Sequence, residues 1–225
     1  MRDFDFLLGW AAPGSAAHYD PAKLRPEDRV RAGQARAPRA DLDWRASRAL
    51  IASLPPGGPV GSLSHSGGHA LCVLVAPGMP GARVGVDLER IRPRRVADLG
   101  RWVCDGAEQR TLARLGEGSR GQLEYFYMLW TLKEALVKAA GLDFPGAMQR
   151  IGLDGEPGSA SRLRAPAGAW GAMVLSLGPD WIAALAWESG GAAAAPRLAW
   201  HAGPAAALPP CRLLGQWQGA GSPLL

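Results

Sequence analysis

LEYFYMLWTLKEALVKAAG, residues 123–141, is the longest helical pattern in the chain. Tyr125, Leu129, Leu132 and Leu136 form one apolar stripe. Trp130, Glu134 and Lys138, four residues apart, form a second. Gly141 supplies a stop, with Pro145 beyond it. Phe126 and Val137 lie beside the charged stripe, so the helix is apolar nearly all round and is expected to be mostly buried. Its Glu–Lys pair is either an ordinary solvated pair or a pair set in a cleft, where desolvation is expensive. The helix alone leaves these two readings level.

Outward from this helix lie strand patterns. SLSHSGGHALCVLVAPG (62–78) reads as strand, Gly-Gly turn, strand, and AWGAMVLSLGPDWIAALAW (169–187) reads the same way around Gly-Pro-Asp. VGVDLERIRP (84–93) is a strand running into a polar loop. DGAEQRTLARL (105–115) opens on a capping box, Asp105 to Glu108, and predicts a helix. Residues 24–54 are helical in pattern with a break at Pro38, followed by a turn-rich connection, SLPPGGPVG (53–61). The N-terminal MRDFDFLLGWAAPGSAA has a faint signal-peptide look, but Asp3 and Asp5 spoil a basic leader, and it reads as a first strand. The last 30 or so residues, rich in Ala, Gly and Pro, carry little signal and are expected to be partly disordered. Two strand–turn–strand units, each with a long helix, form a loose internal echo. They predict an α+β fold of two similar halves, 1–100 and 101–225, joined near residues 95–105.

Composition narrows the function classes. The 225 residues are 48% hydrophobic, which suits a sizeable core, and no apolar run is long enough to span a bilayer. Cys72, Cys104 and Cys211 are scattered and odd in number, as in a reducing cytoplasm. A net charge of +5 favours anionic partners. Of the three lysines, Lys133 and Lys138 both fall within LKEALVK, among 22 arginines elsewhere in the chain. That concentration hints that a compact ammonium is wanted there.

Two further segments carry candidate chemistry. GVDLER (85–90) sets Asp87 and Glu89 two apart, like charges that repel, where a strand leaves the core. SLSHSGGH holds Ser64, His65 and Ser66. Strand neighbours point to opposite faces, so Ser64 and His65 are not a nucleophile–base pair. A hydroxyl and an imidazole at a Gly-rich turn suit phosphate binding; an ordinary hairpin with polar turn residues is the plainer alternative.

Taken in order, SLSHSGG, GVDLER and FYMLWTLKEALVKAAG resemble the Sfp-type 4′-phosphopantetheinyl transferases, over roughly residues 24–155. The resemblance implies two α/β halves related by pseudo-two-fold symmetry in a monomer, with the active site at their seam. It implies transfer of the 4′-phosphopantetheine arm of coenzyme A to a serine of an apo acyl or peptidyl carrier protein, releasing 3′,5′-ADP. Asp87, Glu89 and Glu134 would hold Mg²⁺, or Mn²⁺ in its place. Lys138 would contact a phosphate, with Lys133 a weaker candidate, and Ser64 and His65 would contact phosphates of coenzyme A. Glu134 is the implied base, and Trp130 would position the helix. Glu108 also stands where the family carries a glutamate, though its capping box explains it.

The chain departs from the family in two places. The family's Gly-Lys-Pro motif is reduced here to LPPGGPVG, with Gly58 and Pro59 but no lysine, which implies a looser hold on adenine. Among the basic residues of the first helical region, Arg31, Arg36, Arg39 and Arg45 are the candidates for the 3′-phosphate, while Asp28 falls where a lysine is common. The arginines of RIRPRR (90–95) are either a docking surface for an acidic carrier helix or a solvated loop. Two other classes use some of these features. A metal-dependent nucleotide phosphohydrolase would employ the same carboxylates, and a basic polyanion-binding module would need only the charge. No aromatic–basic nucleic-acid signature is present, and neither a nucleic acid nor a membrane is an expected partner.

Overall fold

A computed structural model describes residues 4–56, 58–77, 79, 81–155, 161–188 and 195–221. Among these, the strands are β1 (Phe6–Ala11), β2 (Val60–Ser66), β3 (His69–Val75), β4 (Val84–Arg90), β5 (Gly152–Asp154), β6 (Arg162–Arg164), β7 (Gly168–Leu177), β8 (Trp181–Glu188), β9 (Leu198–Ala202) and β10 (Cys211–Gly221). The helices are α1 (Pro26–Ala32), α2 (Pro38–Ser53), α3 (Val96–Val103), α4 (Gly106–Arg114) and α5 (Arg120–Ala140), with short 3₁₀ turns at Pro13–His18 and Pro21–Lys23. No helix among the described residues is long and apolar enough to cross a membrane.

The chain divides into two compact units, Met1–Gly81 with Pro196–Pro209, and Ala82–Ala195 with Pro210–Leu225. In the first, the sheet order is β2–β3–β1–β9, with α2 packed on β3 and β1. In the second it is β10–β7–β8–β4, with α5 packed on β4 and β8. Each unit therefore repeats one plan: a strand, a long helix, then a hairpin whose second strand pairs with the first strand. The runs β1–α2–β2–β3 and β4–α5–β7–β8 are the two copies. This is the α+β architecture that the internal echo predicted.

The division itself differs from the expected one. GVDLER belongs to the second unit, because β4 pairs antiparallel with β8 along its whole length, Asp87 opposite Ala184. Strand and helix of the candidate site thus share a unit. The Ala/Gly/Pro-rich C-terminal stretch is not patternless either, since β9 pairs parallel with β1 and β10 pairs antiparallel with β7. The helical region breaks before Pro38 as expected, α1 ending at Ala32 and α2 beginning at Pro38. The proline opens α2 at its first turn, where its missing N–H costs nothing.

The long helix begins at an Ser119 N-cap and ends on Gly141 in the left-handed conformation at φ 63°. Leu129, Leu132 and Leu136 are completely buried, and so are Ala135 and Phe126 to within 1%. Gly85 explains how α5 comes so close to β4. A Cβ there would collide with the Ala135 carbonyl oxygen and lie 2.7 Å from the Ala139 nitrogen, both backbone atoms that cannot swing aside. Gly85→Ala is expected to push helix and strand apart at a cost of about 3 kcal/mol, the upper part of the overpacking range. Urea denaturation midpoints check this; an unchanged midpoint would mean that α5 rests less tightly than its backbone contacts indicate.

Candidate active site

Side chains alternate along β4, and Gly85, Asp87 and Glu89 share the face turned to α5. Asp87 is buried and Glu89 half-buried. From α5, Lys138 Nζ donates to Asp87 Oδ1 at 2.7 Å and to the Val86 carbonyl at 3.2 Å. Glu134 stands one helical turn earlier and is half-buried. Burial above all raises its pKa above the usual carboxylate range; the charge of Asp87 raises it further, Lys138 opposes the rise, and Glu89 adds to it. Asp87, Glu89, Glu134 and Lys138 are therefore brought into one electrostatic neighbourhood by the packing of a single helix on a single strand.

The donor set is oxygen only, which is what Mg²⁺ and Mn²⁺ favour. Among the described residues, no group of three or more His, Cys, Asp or Glu side chains is already gathered as a metal site. The chemistry of the three carboxylates fits a hard divalent cation, and the ammonium of Lys138 lies on one of them. Beside Glu89 opens a pocket of about 240 Å³, lined also by Arg94, Leu99, Phe126, Tyr127 and Trp130. Tyr127 is fixed at its rim, accepting from Arg94 Nε at 3.4 Å and donating to the Arg92 carbonyl at 3.3 Å.

Residues 83–186 match the family model of the 4′-phosphopantetheinyl transferase superfamily. The match covers just under half of the chain and runs from the residue before β4 into β8. All three carboxylates and Lys138 lie inside it. It supports a transferase whose chemistry is phosphopantetheinyl transfer, at the level of the superfamily. No curated protein matches the chain.

Lys133 and Lys138 have opposite fates. Lys133 is completely buried, and its ammonium donates to Glu108 Oε2 at 2.5 Å, the Val103 carbonyl at 2.7 Å and the Met148 carbonyl at 2.9 Å. An ammonium has three protons, so none remains for a phosphate. Lys133 is thus a structural pin, not a phosphate ligand. Its partner Glu108 closes the capping box on Asp105 and also accepts from the Leu153 amide and from Arg164 Nη2, both at 3.2 Å.

The first unit carries the remaining candidates. Gly67 and Gly68, both at positive φ, turn the β2–β3 hairpin as expected. Ser64 is buried and His65 exposed, on opposite faces of β2. The turn is anchored by a residue without any sequence signal, Asp43 of α2. Its Oδ1 accepts from the Gly68 amide, and its Oδ2 lies 3.7 Å from His65 Nδ1.

Trp44, the next residue on α2, is ringed by guanidinium groups: Arg36 at 4.0 Å from the ring centre, Arg48 at 4.1 Å and Arg31 at 5.8 Å. Arg45 turns instead to Tyr19, at 5.6 Å, and Arg39 is exposed at the start of α2. Arg48 was absent from the expected set, although its spacing of four from Trp44 on a helix was a readable signal. It pairs with Asp28 at 2.8 Å, so this acid has its own arginine. Burial lowers the Arg48 pKa, Asp28 opposes this, and the neighbouring Arg31 and Arg36 lower it further. Arg36 also spends protons on the carbonyls of Arg31, Ala32 and Gln34 at the end of α1.

Proposed function

We propose that the chain is a holo-carrier-protein synthase of the Sfp type. It moves the 4′-phosphopantetheine arm from coenzyme A to a serine hydroxyl of an apo acyl or peptidyl carrier protein, and 3′,5′-ADP leaves. The observation that carries this reading is the meeting of Asp87, Glu89, Glu134 and Lys138 on one strand–helix pair, inside the segment that matches the superfamily. Asp87, Glu89 and Glu134 would hold Mg²⁺, with Mn²⁺ as a substitute. The ion would offset the negative charge of the pyrophosphate, where charge develops in the transition state.

The chain's own groups supply the rest. Glu134 takes the proton of the attacking serine, directly or through a water. Lys138 turns its ammonium to a phosphate oxygen. Ser64 and His65 contact phosphates of coenzyme A, and the guanidinium ring of Arg31, Arg36 and Arg48 suits the 3′-phosphate, with Arg45 and Arg39 as outer cations. A cytoplasmic monomer that meets an acidic carrier through RIRPRR completes the reading.

Incubation with coenzyme A, Mg²⁺ and a panel of apo-carrier proteins tests it. Intact-mass spectra should show a carrier heavier by one phosphopantetheine group. If free phosphopantetheine appears without any carrier, the protein is instead a phosphohydrolase using water as the nucleophile.

A further inference from the structure

We infer that Lys138 is a resident counter-ion of Asp87, and that it weakens the hold of the carboxylate set on a divalent cation until an anionic phosphate draws the ammonium away. The inference rests on the proposed reading of this site and gives its lysine a second duty. Lys138 Nζ makes its two recorded bonds to atoms of β4, Asp87 Oδ1 at 2.7 Å and the Val86 carbonyl at 3.2 Å. The ammonium is thus seated on the strand that presents two of the three carboxylates. Its charge is also felt at Glu134, the third. One monovalent cation already serves two of the three acids.

A divalent ion drawn to the same oxygens must meet that charge. Two cations a few ångströms apart repel even in a water-like medium, and a unit charge against a divalent ion there is worth roughly a tenfold change in affinity. Lys138 sits on a flexible four-carbon stem, so it can leave Asp87 without moving α5. A phosphate oxygen gives it somewhere to go. Departure of the ammonium then strengthens metal binding, and by reciprocity the metal strengthens phosphate binding by the same factor. The pair Lys138–Asp87 would make metal and substrate binding cooperative, with no movement of the backbone.

The test is a Mn²⁺ titration of the protein alone, following free Mn²⁺ by electron paramagnetic resonance, with no coenzyme A present. Lys138→Met should bind Mn²⁺ roughly tenfold tighter than the parent, whereas Lys138→Arg, which keeps the charge, should bind no tighter than the parent. If Lys138→Met melts early, Lys138→Gln serves in its place. Asp87→Asn is titrated alongside and should lose most of the binding. Loss in Asp87→Asn with no gain in Lys138→Met would overturn the counter-ion role and leave the site standing. Parent-like binding in Asp87→Asn would overturn the reading of the site and the inference with it.

Discussion

Asp87→Ala is expected to lower turnover about a thousandfold or more, the size of loss seen when charge stabilisation is removed from a transition state. The variant removes the buried carboxylate at the centre of the set, the one bonded to Lys138. It should not unfold the protein. Asp87 adds to the unfavourable field at Glu134, so its loss also relieves a repulsion. Glu134→Gln makes a finer version of the same test. Gln keeps the shape and loses the base, so kcat should fall by about a hundredfold or more while KM for coenzyme A stays within a few-fold. Steady-state kinetics with one purified carrier, together with melting curves, check both variants. Undiminished transfer by the parent in excess chelator would remove the metal from the reaction.

Lys133→Ala should cost about 3–5 kcal/mol, the penalty for breaking a buried ion pair from one side. Lys133 and Glu108 have side-chain exposures of 0% and 1%, so water cannot replace the lost ammonium. The Val103 and Met148 carbonyls would be stranded at the same time. A double variant, Lys133→Met with Glu108→Gln, should recover part of the loss, because no charge is left unpaired: Arg164 keeps Asp105 and Asp154. Urea midpoints of the two variants decide the matter. A single variant as stable as the parent would show that Arg164, already bonded to Glu108, suffices as its counter-ion.

These two lysines also show where reading from sequence stops. Both lie on a helix that is buried nearly all round, and periodicity names the stripes without saying what each stripe meets. Lys133 meets an acid from α4 and two loop carbonyls; Lys138 meets an acid from β4. Only tertiary partners separate the pin from the proposed phosphate ligand. The hairpins, the capping box and the length of α5 were legible because their signals are local: Gly-Gly at the turn, Asp105 and Glu108 three apart, a Gly stop. Strands β9 and β10 were not, because what makes them strands is the edge each one covers, far away in sequence. Asp43 was silent for a similar reason. An acid in the second turn of a helix looks like solvated surface until the Gly68 amide is seen on it. Asp87 and Glu89 on a strand and Glu134 on a helix were legible, the third joined to the others only through the family resemblance, whereas the placing of that strand and helix in one unit needed the β4–β8 pairing.

The pairing of β9 with β1 bears on how the protein is made. β1, FLLGWA, is buried along its full length and leaves the ribosome before either of its partner strands. On one side it finds β3 early, Leu8 opposite Val73. On the other it waits for Leu198–Ala202, with Phe6 matched to Leu198. Until then an apolar edge with open amides and carbonyls stands ready to recruit any passing strand. Nascent chains arrested after β8 should therefore be sticky in a way that the finished protein is not. A chaperone that shields this edge during translation would raise the yield of folded protein without touching its stability.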